Sequence, residues 1–286
     1  MQLAEELRDC VAHIVVDASH HNGLVYGDPI GTAFCVGFTI AGAGLVYYLV
    51  TARHVLEPYR GQGAAARLSV RVNKWDGGCE DVPTNPDTDW TYTPDNDIAL
   101  ARFHRKQSHF FDGLSSDHLH DGISSVLDVH VGDHVLCIGL LLNSPGKQRN
   151  EPIVRFGRVS RTPMPGETVD IVIDEQKRLL LPVEPYLVEM LSWGGHSGSP
   201  VFAYLPEGYA PSAKRWEPNR PYLIGLMHGH FEVPHRVRGM ANPHSEVDLN
   251  SGIAVVIPTE KILDALEQPH LEAERDEIAA EVRGRP

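Results

Sequence analysis

Three short stretches hold residue types that together could carry out acyl transfer. The run Trp193-Gly194-Gly195-His196-Ser197-Gly198-Ser199-Pro200 sets a serine in a glycine turn, ahead of the apolar residues Val201 to Tyr204. Gly195 and Gly198 permit backbone angles that a Cβ resists, so such a turn can aim N–H groups at one point with a hydroxyl beside it. A nucleophile next to an oxyanion site is what acyl transfer requires. Taken alone, the same residues also suit an ordinary Gly/Ser/Pro turn between two strands. Thr51-Ala52-Arg53-His54 ends one apolar run and offers a histidine at a sheet rim, a general base if a hydroxyl lies within reach. Asp95-Asn96-Asp97-Ile98-Ala99-Leu100 opens another. An aspartate there is a turn former, or, if buried beside an imidazole, the group that orients it. Asp97 directly precedes the strand and is favoured over Asp95.

The elements that must position these residues are mostly strands. Residues 1–9 predict a short amphipathic helix, with Leu3 and Leu7 one turn apart. Val11 to Val16 is a β-rich run, and 17–30 reads as a loop. Gly31 to Ile40 and Leu45 to Thr51 predict a hairpin. Further strands are expected at 65–75, 131–140, 152–161, 169–173, 179–183, 186–190, 201–204, 222–227 and 252–257. Polar loops fill 77–93 and 205–220, and 104–129 reads as a crossing between two lobes. The segment 258–266 predicts a closing helix with Thr259 as N-cap and Ile262, Leu263 and Leu266 as its apolar stripe. Many short strands with only terminal helices mean an all-β barrel or sandwich.

Composition bounds the partners. The chain has 286 residues, room for one large domain or two lobes, and carries 38 acidic against 25 basic residues for a net charge of −13. That charge argues against nucleic acid and anionic membranes as partners. Leu271 to Glu281 holds part of the acidic excess and reads as a solvated tail or frayed helix. No apolar run approaches a membrane span, and the polar, acidic N-terminus does not read as a signal peptide. Cys10, Cys35, Cys79 and Cys137 are scattered without CxxC pairs, which fits free thiols in a reducing cytoplasm. Of the 16 histidines, His228, His230 and His235 lie close together, but no zinc spacing is present, so neither a metal nor another cofactor is expected.

Taken together, Thr51 to His54, Asp97 to Leu100 and Gly195 to Pro200 resemble the chymotrypsin/trypsin-like serine protease family. The order His, Asp, Ser and the spacings of 43 and 100 residues match it, and the likeness runs over roughly residues 11–267. It is similar to the intracellular, bacterial-type branch without an activation peptide. The α/β-hydrolase alternative fails on triad order, on Ser199 where its elbow needs glycine, and on the missing alternation of helices.

The resemblance implies two six-stranded antiparallel Greek-key barrels packed together, with short N- and C-terminal helices. Residues 1–120 would carry His54 and Asp97, residues 121–268 would carry Ser197 and the closing helix, and 269–286 would be an acidic tail. It implies a serine endopeptidase in which Ser197 attacks, His54 shuttles the proton, Asp97 orients His54, and the N–H groups of Gly195 and Ser197 bind the oxyanion. His196 stands where zymogen-activated members have aspartate, and Val55 where they have cysteine. With no activation cut site visible, control by a regulatory protein partner follows, in a stress or defence system. The other readings are a catalytically silent fold used as a binding module, and an esterase on the same machinery. The substrate pocket is expected at Leu191, Met227, His228 and His230, with Glu189 close by. Leu191 at its base disfavours arginine or lysine. A histidine on the far wall resembles members that cut after glutamate or glutamine.

Overall fold

The computed structural model describes residues 7–21, 24–40, 44–115, 119, 129–204, 221–236 and 246–283. The expected loop at 205–220 and most of the expected N-terminal helix lie outside them. Residues 7–10 form a 3-10 turn.

The first half is one sheet. Its strands are β1 (Val11–His21), β2 (Leu24–Ile40), β3 (Gly44–Thr51), β4 (Leu68–Asn73), β5 (Cys79–Thr84), β6 (Trp90–Tyr92), β7 (Ala99–Phe103) and β8 (Leu114–Ser115). Seven run in the order β5-β4-β1-β2-β3-β7-β6, and β8 pairs parallel to β2. The predicted hairpin is β2–β3, in register from Ala33 opposite Thr51 to Ile40 opposite Gly44.

Two expectations change here. The loop placed at 17–30 is a continuation of β1 and β2 past two bulges, with Asp17 left-handed at one of them. The first half is also an open eight-stranded sheet rather than a closed six-stranded barrel. Its edge strands β5 and β6 follow one another in sequence but share no ladder. Side chains join them instead: Trp90 Nε1 donates to Thr84 Oγ1 at 2.8 Å, and Asn85 N donates to Asp89 Oδ2 at 2.7 Å. Pro83 lies in β5, on an edge where its missing N–H is tolerated.

The second half is a closed antiparallel barrel, in the order β10-β13-β16-β15-β14-β9. Its strands are β9 (His134–Gly139), β10 (Ile153–Arg161), β13 (Tyr186–Glu189), β14 (Pro200–Tyr204), β15 (Tyr222–Arg236) and β16 (Glu246–Pro258). Between β10 and β13, β11 (Val169–Asp174) and β12 (Leu179–Val183) form a separate hairpin. Period-two alternation sorts the barrel residues. Val135, Cys137, Val201, Ala203, Ala254 and Val256 fill the interior. Leu136, Ile138, Phe202, Val255 and Ile257 face outward and join the core of the first half. These strands are buried on both faces, which is why they read as continuous apolar runs. Burying each of these valine, leucine, isoleucine and phenylalanine side chains fully is worth about 1.5–3 kcal/mol.

Helix α1 (Arg53–Leu56) follows β3, while α2 (Thr259–Leu266) and α3 (Pro269–Arg283) close the chain. Pro258, not Thr259, occupies the N-cap of α2, and the Thr259 hydroxyl donates instead to Leu223 O at 2.8 Å. The segment expected as an acidic tail is the docked helix α3. Leu271 joins the core, Tyr48 donates to Glu274 at 2.9 Å, and the Arg275 guanidinium lies 4.6 Å from the centre of the Phe38 ring. Among the described residues no helix is long and apolar enough to cross a membrane. All four cysteines are free.

Candidate active site

His54 and Asp97 come from the rim of the open sheet, just outside its strands. The turn before β7 is tied by Thr93, whose N donates to Ile98 O at 3.1 Å and whose hydroxyl donates to Asn96 O at 2.9 Å. This turn leaves Asp95 exposed and Asp97 fully buried. Helix α1 docks on it: His54 N donates to Asp97 Oδ1 at 2.8 Å, and the Arg53 guanidinium donates to Thr93 O at 3.0 Å. The imidazole of His54 is then held with Nδ1 2.7 Å from Asp97 Oδ2.

Ser197 arrives from the closed barrel, at the turn into β14. Gly195 and Gly198 both have left-handed backbone, at φ +98° and +85°. Gly198 N donates to Met227 O and Met227 N to Ser199 O, each at 2.8 Å, fixing the turn to β15. Across the seam, Thr32 of β2 donates from its N to Ser197 O at 2.9 Å and from its hydroxyl to Gly195 O at 2.7 Å. The result puts Ser197 Oγ 2.8 Å from His54 Nε2. The same hydroxyl lies 2.9 Å from His228 O, a second acceptor for its single proton. Among the described residues, the N–H groups of Gly195 and Ser197 donate to no other group.

The electrostatics suit a base oriented by an ionised acid. Burial alone would raise the Asp97 carboxyl, but the charges and N–H donors of His54 and His228 outweigh it and hold Asp97 below the usual carboxylate range. His196 is buried. Its Nδ1 lies 3.0 Å from Trp193 O, which also accepts from His196 N at 3.1 Å, so this residue staples its own turn. Burial pushes its imidazole down, toward the neutral form.

A cleft of about 570 Å³ opens over these groups. His54, Ser197, Ser192, Trp193, His228 and His230 lie on one side, and Asp170 to Gln176 of the β11–β12 hairpin form the facing wall. The four residues expected in the substrate pocket separate. Leu191 is 53 % exposed and lines a different surface groove with Phe156 and Met190. Met227 is fully buried in the barrel interior. His228 reaches the cleft, but its Nδ1 lies 2.6 Å from Asp97 Oδ2. His230 lines the cleft as well, its Nδ1 2.8 Å from Ser192 Oγ. The spacing of the resemblance puts the pocket base at Leu191, but the structure turns that side chain out and its neighbour Ser192 in. Ser192, Thr32 and the link between His228 and Asp97 carry no local sequence signal.

His54, Asp97 and His228 also bring three metal-capable atoms within 4.8 Å of one another. Their two N···O separations, 2.7 and 2.6 Å, are hydrogen-bond lengths. They fall short of the edge of about 3.3 Å that a tetrahedral zinc site with bonds near 2.0 Å would have. The set is therefore read as hydrogen-bonded.

No curated protein sequence matches the chain. Among solved structures, the active form of a protease from M. tuberculosis matches at 13 % identity with a TM-score of 0.47, covering 92 % of this chain and 82 % of that one. The tobacco vein mottling virus protease matches at 10 % identity with a TM-score of 0.42, covering 93 % and 84 %. The profile of the trypsin-like peptidase domain matches residues 31–206, more than half of the chain and all three stretches that carry the site, so the chain belongs to the trypsin-like peptidase family.

Proposed function

We propose that the chain is a serine endopeptidase of chymotrypsin-like architecture, with an open sheet in place of the first barrel, acting on protein or peptide substrates in a reducing compartment. The observation that carries this reading is the hydrogen-bonded line Asp97 Oδ2 – His54 Nδ1, Nε2 – Ser197 Oγ, at 2.7 and 2.8 Å, opening on a cleft. A serine hydroxyl is a weak nucleophile at neutral pH. His54 takes its proton as Oγ attacks the scissile carbonyl. Asp97 stays ionised and stabilises the imidazolium that forms. The N–H groups of Gly195 and Ser197 receive the negative charge developing on the carbonyl oxygen, where one such donor is worth about 3 kcal/mol. His54 then gives the proton to the leaving amine, and the acyl-enzyme on Ser197 is hydrolysed by a water that His54 deprotonates. The free thiols support a reducing compartment.

Ser192 and His230 support a first pocket that reads a hydrogen-bonding side chain. In the tautomer in which the Ser192 hydroxyl donates to Nδ1, His230 carries its proton on Nε2 and can donate to a side-chain carbonyl. Asp170, Asp174, Glu175 and Glu232 line the same cleft and repel a carboxylate, so glutamine is favoured over glutamate at the cut.

Labelling with a fluorophosphonate probe, read by intact mass on wild type and Ser197→Ala, tests the nucleophile. Labelling confined to wild type is expected. Equal results in both proteins would overturn the reading and favour a silent fold used as a binding module. Profiling on a peptide library tests the pocket: wild type should select glutamine, and His230→Leu should lose that selection. Turnover of esters without peptides would point to an esterase instead.

A further inference from the structure

Asp97 is held by one donor more than the proposed triad requires. Its Oδ1 accepts from His54 N at 2.8 Å. Its Oδ2 accepts from two imidazoles, His54 Nδ1 at 2.7 Å and His228 Nδ1 at 2.6 Å. An ionised carboxylate can only accept, so both Nδ1 atoms carry protons, and neutral His228 is the Nδ1–H tautomer. His54 and Asp97 belong to the open sheet, whereas His228 stands on β15 of the closed barrel. The two rings also meet edge to face, with centres 4.7 Å apart.

Resting on the serine-protease reading, we infer that His228 is a positioning residue for the catalytic acid: its imidazole holds the Asp97 carboxylate across the seam between the halves and divides one acceptor oxygen with His54. Two consequences follow. The carboxylate cannot rotate away from His54 without giving up the bond to His228, so the base keeps one orientation. The oxygen that steadies the His54 imidazolium already carries a second donor, so its pull on the His54 proton is weaker than that of an undivided carboxylate. The titratable groups facing His228 are His54 on α1, Asp97 ahead of β7, and His230 and Glu232 further along its own strand. Asp170, Asp174 and Glu175 line the facing wall of the cleft, where Lys177 pairs with Asp174 at 3.0 Å. The backbone bond from Ser197 Oγ to His228 O is independent of the side chain, so substitution isolates the imidazole.

The test uses the full chain and three substitutions. His228→Leu removes the donor and keeps an apolar side chain. His228→Asn keeps an N–H close to the position of Nδ1. His54→Ala removes the other imidazole. With a turned-over peptide, His228→Leu should lower kcat by about 10- to 100-fold, the worth of a hydrogen bond to a buried charge. KM should change little. His228→Asn should recover most of the lost kcat. Histidine-labelled NMR supplies a readout that needs no turnover. Wild type should show two low-field imidazole N–H protons from charge-assisted bonds, and His228→Asn and His54→Ala should each remove a different one. A single low-field proton in wild type would overturn the proposal. So would His228→Leu with the wild-type kcat, or His228→Asn as impaired as His228→Leu. Absence of any turnover dependent on Ser197 would instead defeat the protease reading, and the two NMR protons would still decide whether His228 holds Asp97.

Discussion

The two halves hold their reactive groups by different means. In the open sheet, His54 and Asp97 lie on short segments outside the strands, and hydrogen bonds among α1, the 93–97 turn and Asp97 itself keep them in place. In the closed barrel, Ser197 sits on a turn pinned between β14, β15 and Thr32 at distances that leave no room for a Cβ. One half positions by directed polar contacts and the other by close backbone packing. The difference matters because the reacting line crosses between them. Small shifts of either half lengthen the bond from His54 to Ser197, and misplacement by about 1 Å can cost a hundredfold in rate.

The strongest way to break this comparison is to remove one reacting group from each half. Ser197→Ala and His54→Ala should each lower kcat by about a million-fold, and the double variant should lose no more than either alone. Multiplicative losses in burst-free steady-state kinetics would mean that the halves act independently and that the line between them is not one unit.

The next test moves the packed half without touching its chemistry. A Cβ on Gly198 would lie 2.0 Å from Thr32 O and 2.5 Å from Thr51 Oγ1, at a φ of +85°. Gly198→Ala should cost about a hundredfold in kcat/KM and also destabilise the fold, since left-handed backbone disfavours alanine. Rates and thermal unfolding both unchanged would show that the seam is more yielding than its distances imply. Thr32→Val sharpens the same point at smaller scale. The hydroxyl donates to Gly195 O at 2.7 Å and accepts from Leu140 N at 2.9 Å, so valine strands two buried backbone groups. A loss of roughly 2 kcal/mol in stability and tenfold in kcat is expected. Stability lost with kcat intact would assign Thr32 to the seam alone and not to the oxyanion turn.

How much of this was legible beforehand follows from how local each signal is. The stretches around His54, Asp97 and Ser197 each carry their chemistry within a few consecutive residues, and the glycines at 195 and 198 announce a turn whatever surrounds it. The barrel strands were legible as short continuous apolar runs, because both of their faces are buried: Val201 and Ala203 go in while Phe202 goes out. β5 and β6 were hidden inside a supposed loop, since one is polar with Pro83 and the other has three residues. The docking of α3 depends on Phe38 and Tyr48, far away in the chain. His228 meets Asp97 across 131 residues, and no spacing rule reaches that far. The substrate pocket turned on one residue of register, and a shift of one flips a side chain to the other face.

A last contrast concerns two imidazoles, one at the cleft and one in the core. His228 is matched with a carboxylate, whereas His13 on β1 is fully buried and neither of its ring nitrogens has a partner among the described residues. Burial, and then the charge of Arg71, push the His13 imidazole from 6.5 down to about 3. Folded protein therefore keeps His13 neutral, while unfolded chain takes up a proton as pH drops below 6.5. Stability is whole above 6.5, falls by up to about 1.4 kcal/mol per pH unit below it, and levels off near 3. Asp97 acts in the same direction but only below its ordinary value of 3.8, and between 6.5 and 4 His13 acts together with His134, His196 and His230, whose imidazoles burial also pushes down, so the His13 share is the difference between wild type and a variant without it. Urea unfolding across that interval should show a slope in wild type that flattens in His13→Leu. Equal slopes in the two proteins would mean that His13 finds a proton partner in the folded state, and that the open sheet accommodates a buried imidazole as well as the active site does.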